Sequence, residues 1–148
     1  MKEKYRKSVF VVVYRKEGEK ILYLILKRKK HWVGWEFPKG GVEEKENLFE
    51  AVEREVFEEC GQKPINIERY NFSGKYNYGK KFRDRPGFIG QSFVLFSAEV
   101  KDEKVVFDKR EHSSYIWLTF EEALEKLTFE NQKKALSIVH EKISNKKS

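Results

Sequence analysis

The sequence predicts an α/β domain, and three observations carry that reading. Runs rich in Val, Ile, Leu, Tyr and Phe recur at Ser8–Arg15 and Ile21–Lys27, neither long enough nor of the right period for a helix of its own, and Phe88–Val100 is another apolar strand. Between them lies GGVEEKENLFEAVEREVFEECGQ, Gly40 to Gln62, which has a glycine turn, a helical period and a terminating glycine. Near the end of the chain, Phe129, Gln132, Leu136, Val139 and Ile143 repeat at three and four, the stripe of a helix packed on a core. At 148 residues, residues 1–148 read as one domain.

Taken in order, Ser8–Arg15 and Ile21–Lys27 form a β-hairpin of buried strands, with Glu17-Gly18-Glu19 as the turn. Lys27–Lys30 is a basic run, KRKK, followed by His31, Trp32 and Trp35. Phe37-Pro38-Lys39-Gly40-Gly41 turns the chain: proline fixes the entry and two glycines permit close backbone approach. The helix starts at Glu46 or Asn47, with Asn47 as N-cap and Glu50 completing a capping box. Gly61 ends it.

Pro64–Tyr70 and Asn71–Tyr78 read as two strands. Tyr76 and Tyr78 share one face, where they either pack on the sheet or stack on a nucleobase. Gly79–Arg85 is a basic loop whose Lys80, Lys81, Arg83 and Arg85 suit phosphate contacts. Phe88–Val100 follows, carrying Gly90-Gln91. Val105–Phe107 reads as a short strand, and Glu111 stands before the run His112–Leu118. Thr119 with Glu122 opens a helix to Leu127, and Thr128 opens the last helix, with His140 on its surface. The tail Ser144–Ser148 is polar.

Charge narrows the function. From Glu43 to Glu59 there are eight acids and two bases, a net of −6 in a chain of +7. At about 100° per residue, Glu55, Glu58 and Glu59 fall in one arc with Leu48, Ala51 and Val52. Glu55 and Glu59 repel at i,i+4, and carboxylates turned inward lose hydration unless something positive meets them. On the helix itself only Arg54 could help. The plain alternative is an exposed acidic helix. The inward arc argues instead for a bound divalent cation. A pI near 9.3 favours polyanionic partners, nucleotides or RNA. No apolar run approaches 18 residues, which argues against a membrane helix. The N-terminal stretch does not read as a signal peptide. A single Cys60 excludes an internal disulfide and fits a reducing cytoplasm. A monomer is expected.

Gly40, five residues, Glu46, seven residues, then Arg54-Glu55-Val56-Phe57-Glu58-Glu59-Cys60-Gly61 resembles the Nudix box, seven fixed residues over 22 positions. One position departs: Gln62 stands where the box usually has an aliphatic residue packed under the helix end. WVGWEFPKGGVEEKE, SAEVKDEKVVF and EHSSYIWLTFEEALEKLTF are similar to diadenosine tetraphosphate hydrolases of that superfamily. The likeness runs from Ser8 to Ile143.

The resemblance implies a Nudix-type α/β/α sandwich with a mixed β-sheet and a loop-helix-loop that binds Mg²⁺ or Mn²⁺. It implies hydrolysis of diadenosine tetraphosphate to ATP and AMP by water attack on phosphorus. By position, the metal ligands are the Lys39 carbonyl, Glu55, Glu58, Glu59 and Glu111, while Arg54 holds the carboxylates in place. His31 and Lys39 fall near the polyphosphate, and Tyr115 lines the adenine pocket. Gly90-Gln91 departs from those hydrolases and is similar to RNA 5′-pyrophosphohydrolases, so Gln91 joins the substrate contacts and an RNA 5′ end joins the candidate substrates. Damaged nucleoside triphosphates are a third. Hard oxygen ligands suit Mg²⁺ or Mn²⁺, and one glutamate takes a proton from the attacking water. Glu58 is favoured as that base, with Glu55 and Glu111 as alternatives. A non-catalytic nucleotide- or RNA-binding module on the same scaffold would have lost acids of the box, and none is lost here.

Overall fold

The computed structural model describes residues 4–30, 33–78 and 87–145. Strands β1 (Tyr5–Glu17) and β2 (Lys20–Arg28) form the expected hairpin, turning at Gly18 with φ 61°. Two short strands follow, β3 (Gly34–Glu36) and β4 (Lys39–Gly41). Helix α1 (Leu48–Cys60) leads to β5 (Asn66–Asn77), β6 (Gly90–Glu99) and β7 (His112–Leu118). Helices α2 (Phe120–Lys126) and α3 (Glu130–Asn145) close the chain.

Among the described residues the strands make one mixed sheet in the order β3-β2-β1-β6-β5, with β4 paired to β1 and β7 to β2. The β1–β6 pairing is parallel, and β1–β2, β1–β4, β2–β7 and β5–β6 are antiparallel. Alternation along β1 feeds two cores. Phe10, Val12 and Tyr14 face α2 and α3, while Val9, Val11 and Val13 face α1. The sheet is thus sandwiched by helices, as the sequence implies.

Helix α1 starts and stops where its residues dictate. The Asn47 side chain accepts from Glu50 N, the Glu50 side chain accepts from Asn47 N, and Gly61 adopts φ 74°. Such a cap contributes about 1 kcal/mol. A Cβ at Gly61 would also meet Val106 Cβ at 2.9 Å. The Gln62 departure has a local purpose. Its amide donates to Asp102 O (2.8 Å) and Lys104 O (3.1 Å) and accepts from Asp102 N, latching the loop after β6 where an aliphatic residue would pack.

Several expectations are corrected. Pro64–Tyr78 is not two strands: β5 runs unbroken through it, with a register shift between Arg69 and Ser73. Val105–Phe107 is not a strand, because Val106 N donates to Cys60 O at the end of α1 and Val105 buries in the α1-side core. His140 is half-buried rather than a plain surface group: its Nδ1 meets Tyr23 Oη at 2.7 Å and its ring stacks on Phe120. On α3 the buried stripe is Gln132, Leu136, Val139 and Ile143, whereas Phe129 precedes the helix and is 44 % exposed. No helix among the described residues is long and apolar enough to cross a membrane.

Candidate active site

The site is built where β4 runs beneath α1. A Cβ at Gly40 would overlap the Glu55 carboxyl, and one at Gly41 would overlap the Arg6 guanidinium. Gly40 is therefore required by the close approach of the buried Glu55 carboxyl, whereas the flexible Arg6 side chain can swing aside from Gly41. In the β1–β4 register Phe10 lies opposite Lys39, and Val11 N bonds Pro38 O. Phe10 and Lys39 are thus a non-hydrogen-bonded pair, which turns the Lys39 carbonyl away from β1. Gln132, fully buried on α3, supports this turn by accepting from Phe37 N at 3.2 Å.

Arg54 is the hub of the box. Its Nε donates to Glu46 Oε2 (2.8 Å), Nη1 to Glu55 Oε1 (2.8 Å) and Nη2 to the Gly41 carbonyl (2.7 Å). Nη1 also reaches Glu58 Oε2 at 3.3 Å. A planar fork with five donors can hold these groups together, whereas an ammonium could not. The inward arc is split. Glu55 and Glu59 are buried, but the Glu58 side chain is half exposed at the lip of the cleft. Burial pushes Glu55 up to about 8 against the pull of Arg54, and burial also raises Glu59. Glu59 is met by cations from outside the helix, His112 and Arg28, while Arg54 meets Glu55 and Glu58.

Those cations belong to a buried network with no separate signal in the sequence. Glu36, fully buried on β3, lies 2.8 Å from His112 Nε2, 3.1 Å from Arg28 Nη1 and 3.4 Å from Lys39 Nζ. Burial would raise the Glu36 carboxyl, but Lys39, His112 and Arg28 outweigh it and hold it near 2. Burial would likewise lower His112. The flanking carboxylates of Glu36 and Glu59 win instead and lift it to about 9. Arg28 and Lys39 stand in motifs the sequence flags, but His112 stands out only as the second residue of the Glu111-His112 pair, and Glu36 only as an unassigned member of WVGWEFPKGGVEEKE.

A cleft of about 320 Å³ opens above these groups. Acids Glu55, Glu58 and Glu111 and cations Arg6, Lys30 and Arg110 line it together. Lys39, Arg54 and Gln91 also line it. Glu59 lies behind this lining, its Oε2 3.0 Å from His112 Nδ1. At the β5–β6 wall, Lys39 Nζ donates to Tyr76 Oη (3.3 Å) and Tyr78 Oη donates to Gln91 Oε1 (3.0 Å). Tyr115 is elsewhere. It packs edge-to-face on Phe107 in the α1-side core, since its place in β7 turns it toward α1, so it does not line this cleft. His31, Lys80, Lys81, Arg83 and Arg85 lie outside the described residues. Arg6, at the start of β1, is a cleft residue that the sequence reading did not single out.

A hard divalent ion fits this donor set. Glu55, Glu58 and Glu111 present carboxylate oxygens to one space, and Glu59 Oε2 is buried with no hydrogen-bond partner. Glu59, Glu111 and His112 bring ligand atoms within 4.8 Å of one another.

Comparison with known proteins agrees with this geometry. The family model for the NUDIX domain matches residues 4–137. An RNA pyrophosphohydrolase of Sulfurovum sp. (strain NBC37-1) is 28 % identical over 139 residues, 89 % of this chain and 88 % of that protein. Nudix hydrolase 16, mitochondrial, of Arabidopsis thaliana is 32 % identical over 111 residues, 74 % of this chain and 60 % of that protein. Among solved structures, the Ap4A hydrolase of C. elegans in a binary complex shares the fold with a TM-score of 0.73 at 21 % identity, covering 95 % of this chain and 98 % of that one. A NUDIX hydrolase from Listeria monocytogenes gives 0.78 at 21 % identity, covering 97 % of each. With an intact box folded around Arg54 and a domain match over nearly its whole length, the chain belongs to the Nudix family of hydrolases.

Proposed function

We propose that this Nudix hydrolase cleaves a phosphoanhydride in a nucleoside 5′-polyphosphate that carries a second group at its far end. Diadenosine tetraphosphate, split to ATP and AMP, is the leading substrate. The observation that carries the reading is the convergence of acids and cations in one cleft. A polyphosphate chain needs both, cations for its own charge and carboxylates for a metal and a water.

Each residue then has a part. Glu55, Glu58, Glu59, Glu111 and the Lys39 carbonyl would hold Mg²⁺ or Mn²⁺, which supplies charge neutralisation and a more acidic water. Glu58 takes the proton from that water, because it is the box acid most open to the cleft. Arg54 keeps Glu55 and Glu58 aimed, through contacts at 2.8 and 3.3 Å. Arg6, Lys30 and Arg110 meet the phosphates. Tyr76 and Tyr78 offer ring faces to a base, and the basic loop with Lys80, Lys81, Arg83 and Arg85, together with His31, adds phosphate contacts.

A second reading, removal of phosphates from triphosphorylated RNA 5′ ends, is favoured by two observations. Gln91 lies in the cleft wall, and the Sulfurovum relative named RNA pyrophosphohydrolase matches along most of both chains. Product analysis in ¹⁸O-water with Mg²⁺ separates the two. ATP plus AMP from diadenosine tetraphosphate supports the first. Phosphate or pyrophosphate from triphosphorylated RNA, with diadenosine tetraphosphate left intact, supports the second. No turnover of either would refute both.

A further inference from the structure

Behind the cleft, Glu59 Oε2 and His112 Nδ1 are buried and neither has a hydrogen-bond partner. The two side chains are 2–3 % exposed, and the two atoms are 3.0 Å apart. The other ring nitrogen, Nε2, lies 2.8 Å from Glu36 Oε2. Glu36 is a carboxylate that also takes Arg28 at 3.1 Å, so it accepts, and Nε2 carries the proton. Nδ1 then points its lone pair at a carboxylate oxygen. That arrangement is repulsive unless a positive centre lies between. In the metal-free protein a second proton on the ring is that centre, but the pair lies off hydrogen-bond geometry, so the proton is poorly held there. An ion off the Nδ1–Oε2 line fits better: two neighbouring ligands about 2.1 Å from an octahedral centre stand about 3.0 Å apart. Glu111 completes a three-donor set, since it, Glu59 and His112 each bring one ligand atom within 4.8 Å of the others.

We propose that His112 Nδ1, with Glu59 and Glu111, forms a mixed nitrogen–oxygen subsite for a divalent transition-metal ion, with Glu36 orienting the imidazole. The inference rests on the reading of the cleft as a metal-dependent hydrolase site and adds a nitrogen donor to its carboxylates. A carboxylate behind a ligating histidine fixes the tautomer and strengthens the donor. Imidazole favours Mn²⁺, Co²⁺ or Zn²⁺ over Mg²⁺, which prefers oxygen and retains its waters. The subsite therefore makes the protein discriminate among cations.

The test is anomalous diffraction from crystals of the full chain soaked in MnCl₂, with electron spin echo measurements on ¹⁵N-histidine-labelled protein plus Mn²⁺ alone. The expected result is a manganese peak bonded to Nδ1 of His112 and a nitrogen coupling that changes with the label. In addition, His112→Gln should weaken Mn²⁺ binding by about tenfold or more, and Mg²⁺ binding by less. Should that variant fail to fold, the wild-type map and label still decide. Manganese held by Glu55 and Glu58 with no nitrogen coupling would overturn the subsite and leave the hydrolase reading standing. No manganese in the crystal or in solution would overturn both.

Discussion

Replacing Gly40 with alanine tests the site through a single methyl group. Gly40 is not among the glycines with positive φ, so its backbone tolerates alanine and the effect comes from contact alone. The added Cβ would overlap the Glu55 carboxyl. Ordinary carbon contacts lie at about 3.5–4.0 Å, so the carboxyl must retreat by more than about 1 Å. That breaks its 2.8 Å bond to Arg54 Nη1. A hydrogen bond to a charged group contributes about 1.5–3 kcal/mol, and at this chain length each kcal/mol shifts Tm by about 2–4 °C. The expected loss is therefore about 5 °C in a thermal scan. Activity should fall further, because a displacement of about 1 Å in a catalytic group costs on the order of 10²-fold. Steady-state kcat/KM with diadenosine tetraphosphate and triphosphorylated RNA reads the effect. A variant within threefold of wild type on its preferred substrate would refute the claim that Glu55 must sit against Gly40.

Glu58→Gln should keep the circular dichroism spectrum and lower kcat by about 10³-fold, since the proton acceptor is removed from an exposed position; near-normal turnover would place the base elsewhere. Arg54→Lys should lower kcat/KM by about 10²-fold and stability by about 2 kcal/mol, because one ammonium cannot hold Glu46, Glu55 and the Gly41 carbonyl together. In metal-free protein, Glu55 near 8 and His112 near 9 are both raised above their ordinary values. Groups raised on folding lend stability below their unfolded pKa and lose it as pH climbs through the folded value. With EDTA present, Tm should thus decline from about pH 5 to pH 9, and millimolar Mn²⁺ should flatten the decline; a Tm that rises toward pH 8.5 in EDTA would contradict it. Replacing Lys80, Lys81, Arg83 and Arg85 together with alanine should raise KM and leave kcat nearly unchanged, and an unchanged KM would remove the phosphate role of that loop.

How much of this was legible depends on how local each signal is. The hairpin, both ends of α1 and the capping box of α2 are written in neighbouring residues: Gly18, Asn47 with Glu50, Gly61, and Thr119 with Glu122. Strands β3 and β4 are three residues each and exist because β2 and β1 lie beside them, so no local period could announce them. The continuity of β5 is imposed by its pairing to β6 across a register shift. The box acids are legible by spacing, but their split into buried and exposed members depends on depth along the cleft, which spacing does not encode. Glu36 and His112 are 76 residues apart and meet only in the folded chain. Tyr115 illustrates the converse: likeness assigns it to an adenine pocket, and the alternation of β7 sets it half-buried against the α1-side core, outside the cleft.

The central claim is that the carboxylates around Arg54 hold a divalent ion. Isothermal titration of Mn²⁺ into wild-type protein and into the Glu55→Gln, Glu58→Gln double variant, each with a non-hydrolysable nucleotide, tests it most directly. Saturable binding in the wild type, weakened at least tenfold in the double variant, is the expected result. Equal affinity in the two proteins, or no binding to either, would contradict it.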